Sequence, residues 1–313
     1  MAGSGDSTRA ILFALGANFA IACAKGVAAF FTGSSAMLAE TVHSVADCGN
    51  QLLLLFGMKQ AKLPPSPDYP LGYGKAIYFW SFLVALMLFS VGGMFSLYEG
   101  IHKLEEREPI THWYWAVGVL TFGIIAEGVS MRACLQEVNK ARAGRSMWRW
   151  FRESRQAELV VIFGEDLAAL LGLVFALIAV VLAVVTGNPV WDAIGTIAIG
   201  VLLIVVAVFV AVEVKALLIG QSVDWHTQQA IREYLEGQPK IAKVISLITL
   251  QLGSEMMVSV HAEMRDPGSS REMIEDINAI EAGMKARFPQ VRWSFFEPEM
   301  EGAGSGDQDY AAA

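Results

Sequence analysis

Thiols and imidazoles are scarce in this chain. Three cysteines (Cys23, Cys48 and Cys134) and five histidines are spread over 313 residues, and no two cysteines form a CxxC pair. The cysteines lie in or beside apolar runs, so they read as small packing residues. A disulfide framework and a thiolate metal motif are both excluded. One histidine, His43, falls inside an apolar run, whereas a membrane haem enzyme commonly needs paired axial histidines at depth. Charge is thin as well: Asp, Glu, Lys and Arg make up 17% of the residues, and the net charge is −8. Nucleic-acid binding wants a basic patch, so that partner is excluded. The opening MAGSGDSTR has neither the basic-then-apolar order of a cleaved signal peptide nor the Arg- and Ser-rich character of a transit peptide.

Apolar length is what the chain has in abundance. Hydrophobic residues account for 54% of it, gathered into runs of about twenty, the length that crosses a bilayer. The expected spans are 8–31, 36–57, 76–98, 113–132, 158–185 and 191–218. Trp113, Tyr114 and Trp115 form an interfacial belt at the fourth. Lys25 is expected to snorkel from near the far end of the first span. Asp192 is expected to sit at the N-terminal, dipole-favoured end of the sixth. The loops 58–75 and 132–155 hold ten Lys and Arg, whereas the three opposite loops hold only Lys103 and Arg107. The positive-inside rule then predicts six transmembrane helices with both termini cytoplasmic. The expected location is a multi-pass membrane protein in a bacterial inner membrane.

After Gly220 the composition changes. An amphipathic helix over 223–237, strands over 242–252 and 256–264, a helix entered at Ser270 and a last strand over 290–296 follow one another. This predicts a small cytoplasmic α+β domain, αββαβ and ferredoxin-like, with its helices on one sheet face. The expected organisation is a six-span domain over 1–220, the αββαβ domain over 221–300 and a disordered tail over 301–313. Eighty residues make a small core, so homodimerisation through this domain would support it.

The second span is not uniformly apolar. AETVHSVADCGNQLLLL carries Glu40, His43, Asp47, Asn50 and Gln51 at spacings of three and four, which puts them on one helix face. Ionisable residues at membrane depth mark ion or proton paths. His43 and Asp47, one turn apart, offer an imidazole nitrogen and a carboxylate to one point, half of a tetrahedral site for zinc or a similar cation. The alternative is a polar stripe that only joins helices. The fifth span supplies the other half: VVIFGEDLAALLG sets Glu165 and Asp166 in an apolar helix. Adjacent residues point about 100° apart, so one of the two faces the second span and the other turns to a neighbour. Glu127, midway along the fourth span, is a proton relay, a weak ligand or a partner for a polar residue such as Asn18.

HSVAD in the second span, the YPLGYGK loop, the acid in the fifth span and the αββαβ domain together resemble the cation diffusion facilitators. FRESR, GEDLAALLG and TGNPVWDAIGT resemble the branch of that family containing a mitochondrial zinc transporter. The resemblance implies a homodimeric exporter with no resident cofactor. It would bind a divalent metal, usually zinc, between the second and fifth spans and exchange it for protons by alternating access. Carried over, His43, Asp47 and Asp166 match the family's metal ligands. The chain departs from the pattern in three places. Ile162 stands where most members place a fourth ligand, so Glu165, Asn50 or water must complete the site. Tyr69 and Tyr73 replace loop histidines, which puts a loop metal site in doubt. His226 and His261 are the only histidines of the cytoplasmic domain, too few for its usual metal cluster. A transport-inactive scaffold of the same fold is the alternative function.

Overall fold

The computed structural model describes residues 4–106, 112–142, 144–266 and 268–300. The tail expected over 301–313 lies outside the described residues. Long rods dominate the first part of the chain: α1 (Ser4–Thr32), α2 (Ser35–Ala61), α5 (Trp113–Ala141), α7 (Ala157–Thr186) and α8 (Val190–Ile219). A further rod is compound, with α3 (Ala76–Met87) passing through a π-helical segment (Leu88–Met94) into α4 (Phe95–Glu106). At 1.5 Å per residue, rods of this length exceed the roughly 30 Å hydrocarbon core. Among the described residues, four are long and apolar enough to cross a membrane by length and composition: Ala76–Glu105, Trp113–Ala141, Ala157–Thr186 and Val190–Ile219. α1 contributes a shorter apolar stretch, Asn18–Thr32. α2 is long enough, but its Glu40, His43, Asp47, Asn50, Gln51 and Lys59 dilute its hydropathy.

Several helices outrun the spans expected from hydropathy. α5 continues to Ala141 and the compound rod to Glu106, because apolar runs mark membrane depth while the hydrogen-bonded helix carries on into polar sequence. A short helix, α6 (Met147–Glu153), forms within the basic aromatic stretch. Its Trp150 is buried edge-on against Phe163. The rods turn Phe30, Phe122, Ile125, Val185 and Val212 outward, as surfaces facing hydrocarbon should. They bury Met37, Leu88, Leu120, Leu173, Ile199 and Leu203 in one cluster. Where the compound rod meets α8 the contact is between small residues: a Cβ on Gly93 would stand 2.5 Å from Ile204 Cγ1, and one on Gly200 2.9 Å from the Gly93 carbonyl. Close backbone approach of this kind joins membrane helices.

The C-terminal compact unit starts at Ala216 and also takes in Gln60–Ala76 and Glu153–Gln156. It has the expected order: α9 (Trp225–Glu236), β1 (Ile241–Leu252), β2 (Glu255–Met264), α10 (Ser270–Arg287), β3 (Val291–Pro298). β1 pairs antiparallel with β2, and β3 returns after α10 to lie parallel to β2. Alternation along β2 buries Met256, Val258, Val260 and Ala262 against Ile231 and Leu235 of α9 and Ile280 and Met284 of α10. The cap of α10 is Ser269, one residue earlier than expected, in a capping box with Glu272. Gly74, from the proline-rich loop, and Gly253, in the β1–β2 turn at φ 69°, pack backbone to backbone; a Cβ on Gly253 would lie 2.7 Å from the Gly74 carbonyl.

Candidate metal site

On α2, His43 Nε2 lies 3.5 Å from Asp47 Oδ2, with His43 fully buried. Neither ring nitrogen of His43 has a hydrogen-bond partner, nor do Asp47 Oδ1, Gln51 Oε1 or the side-chain N and O of Asn50. Groups of this kind are almost always paired inside proteins and are costly in hydrocarbon, so a cluster of them needs an explanation such as an ion or water. The imidazole rests against the π-helical segment: a Cβ on Gly92 would be 3.8 Å from His43 Nδ1, ordinary contact distance. π-Helical turns recur at functional sites.

α7 places its two acids apart. Glu165 is buried, faces Asn50 and leaves Oε1 without a partner. Asp166 Oδ2 instead accepts from Ser130 Oγ on α5 at 3.2 Å. Glu127, three residues before Ser130 on α5, lines a narrow cleft with Asn18, Ile21, Ser44 and Asp47. The acids thus separate: Asp47 pairs with His43 on α2, and Asp166 bonds Ser130 on α5. Among the described residues, no three His, Cys, Asp or Glu side chains gather around one point. Ile162, one turn before Asp166, points outward and is 38% exposed.

Two buried polar groups behave differently from their sequence reading. Lys25 does not snorkel: it is wholly buried, its Nζ donating to Ser44 Oγ at 2.7 Å and pairing with Glu40 Oε2 at 3.1 Å. Glu40 shares the face of His43 and Asp47 but is engaged by this ammonium. The partnership was within reach of sequence reasoning, since Lys25 and Glu40 are nearly equidistant from the turn at Gly33–Ser34 and so lie at one depth. Asp192 serves α2 as well as its own helix. Its carboxylate accepts from Ser34 Oγ (2.7 Å), the Ser35 N–H (2.8 Å) and Ser35 Oγ (3.0 Å), closing the N-terminus of the helix that bears His43.

Residues 11–219 match the cation efflux transmembrane domain. The chain belongs to the cation efflux family. It is a multi-pass membrane protein of a transporter family, whose matched region contains every site residue named above. Among its cation efflux relatives, the mitochondrial proton-coupled zinc antiporter SLC30A9 of Homo sapiens is 32% identical over 231 residues, 73% of this chain and 41% of the relative. Metal tolerance protein C4 of Arabidopsis thaliana is 32% identical over 73% of this chain and 50% of its own length. The alignment thus spans half or less of those two proteins. The cation-efflux pump FieF of Escherichia coli is 26% identical, over 83% of this chain and 82% of the pump.

Proposed function

We propose that this chain exports a divalent metal cation, zinc foremost, in exchange for protons, by alternating access as a homodimer. The observation that carries the reading is the set of buried polar atoms without partners on α2 and α7: both nitrogens of His43, Asp47 Oδ1 and Glu165 Oε1. Imidazole and carboxylate without thiolate suit Zn²⁺, and also Mn²⁺, Co²⁺, Cd²⁺ or Fe²⁺. In this reading His43 and Asp47 receive the ion first. Asp166 then exchanges Ser130 for the metal, and Glu165 or Asn50 completes the shell. Ligands must be deprotonated to bind, so loading sheds protons and returning protons expel the ion. Glu127, on the cleft shared with Asp47, is placed to relay them.

The names borne by the relatives, a proton-coupled zinc antiporter, a metal tolerance protein and a cation-efflux pump, support the same reading. Ile248 and Phe295, exposed on the C-terminal sheet and in register through Ser259, support dimerisation through that domain. The Lys and Arg asymmetry favours cytoplasmic termini. A match spanning most of both chains is with an E. coli pump, which supports a bacterial cell membrane. The test is Zn²⁺ flux into proteoliposomes under an imposed pH gradient. Wild type should transport and His43→Ala and Asp47→Ala should not; undiminished flux in both variants would refute the assignment.

A further inference from the structure

The Lys25–Glu40 pair has no part in the transport cycle described above, yet both side chains are wholly buried. Stability is a weak reason for it, because two charges taken out of water into a low-dielectric interior often gain little over apolar replacements. Its position is informative. Glu40 precedes His43 by three residues and Asp47 by seven, so its carboxylate lies on the metal-facing side of α2. Lys25 draws one oxygen, Oε2, towards α1, and the other, Oε1, lies without a partner against α7. Gly172 makes room for it there, since a Cβ at that position would come within 2.6 Å of Oε1. Removing Lys25 would leave a free carboxylate one turn from His43. The ammonium also donates to Ser44 Oγ, on the residue that follows His43, at 2.7 Å.

A transporter must release what it binds, and each further acid facing a dication tightens the hold. We propose that Lys25 is a positioning residue that withholds Glu40 from the transported dication and cancels its charge, keeping the site weak enough to unload. The proposal rests on the exporter reading. A unit charge about 10 Å from a dication, at an effective dielectric constant of about 20, changes affinity by tenfold or more.

The experiment is equilibrium Zn²⁺ binding to the full-length solubilised protein, paired with Zn²⁺ flux in proteoliposomes, for wild type, Lys25→Met, Glu40→Gln and the double variant. Lys25→Met should bind Zn²⁺ at least tenfold more tightly and turn over more slowly, lowering KM and kcat together. Glu40→Gln, which leaves the ammonium uncancelled, should bind about tenfold more weakly. The double variant should return to within threefold of wild type. If Lys25→Met does not fold, Glu40→Gln against the double variant still decides. Wild-type affinity in all the folded variants, with altered thermal stability alone, would reduce the pair to a structural tie and overturn the proposal. A wild-type protein that binds no Zn²⁺ would instead refute the exporter reading, and this inference with it.

Discussion

Asp192 holds the start of α2 in place, and its loss has a calculable cost. Its carboxylate takes three hydrogen bonds from two consecutive residues, Ser34 and Ser35, at 2.7–3.0 Å, and it is fully buried. Asp192→Ala strands the Ser35 N–H and the Ser34 hydroxyl, whereas Ser35 Oγ keeps Thr196 Oγ1 at 3.0 Å. Leaving a buried donor unsatisfied costs about 1–3 kcal/mol each. The stranded hydroxyl can turn to a nearby carbonyl and recover part of that, so the net loss should be about 3–5 kcal/mol. For a protein of this size that is a fall in Tm of roughly 10 °C. Asp192→Asn keeps one acceptor oxygen and should lose about 1–2 kcal/mol. The assay is thermal unfolding of purified protein in one detergent, followed by tryptophan fluorescence. Loosening the first turn of α2 also frees the helix to rotate, so Zn²⁺ affinity should weaken alongside Tm. A shift smaller than 2 °C for Asp192→Ala would show that the three bonds contribute nothing net, and the reasoning would fail.

Three further outcomes follow from local geometry. Gly93→Ala drives a methyl into Ile204 and should lower Tm and flux, whereas Gly118→Ala, with nothing within 4 Å, should be neutral or stabilise by up to about 1 kcal/mol in Tm measurements. Burial pushes the Tyr234 hydroxyl above its usual 10. Its folded value exceeds its unfolded one, so the stability it contributes is complete below pH 10 and is lost as pH rises through the folded value. Tyr234→Phe, which also removes the bond to the Ile280 carbonyl, should lower stability at neutral pH and flatten the alkaline limb of a Tm–pH profile. Glu272 runs the opposite way: the Ser269 N–H and hydroxyl hold its carboxyl below the usual range. Its contribution is present above the unfolded value and disappears as pH falls through the folded one. Glu272→Gln should therefore lower Tm at pH 7, and the difference from wild type should shrink as the pH falls through the folded value.

Hydropathy and alternation located the rods and the αββαβ order because each rests on a period the sequence carries by itself. What escaped depends on partners distant in sequence or on backbone detail. The π-helical segment at Leu88–Met94 has no marker beyond Gly92–Gly93. Asp166 turns to Ser130 because of how α5 is rotated against α7, and no spacing within α7 encodes that. Asp192 looked like a charge serving its own helix; its bonds to Ser34 and Ser35 span 158 and 157 positions. His43 and Asp47 were legible because both lie on one helix, a single turn apart. Gly74 carries no marker of its contact with the β1–β2 turn, which appears only once the C-terminal unit is folded.

In the proposed transport cycle an imidazole and carboxylates from α2 and α7 share one dication. Zinc-edge X-ray absorption on protein loaded with one equivalent of Zn²⁺ tests it most directly, with Asp166→Asn measured beside wild type. The expected result is a shell of nitrogen and oxygen with one imidazole and no sulfur, and an altered oxygen shell in the variant. A sulfur-containing shell, or a spectrum indifferent to Asp166, would contradict it.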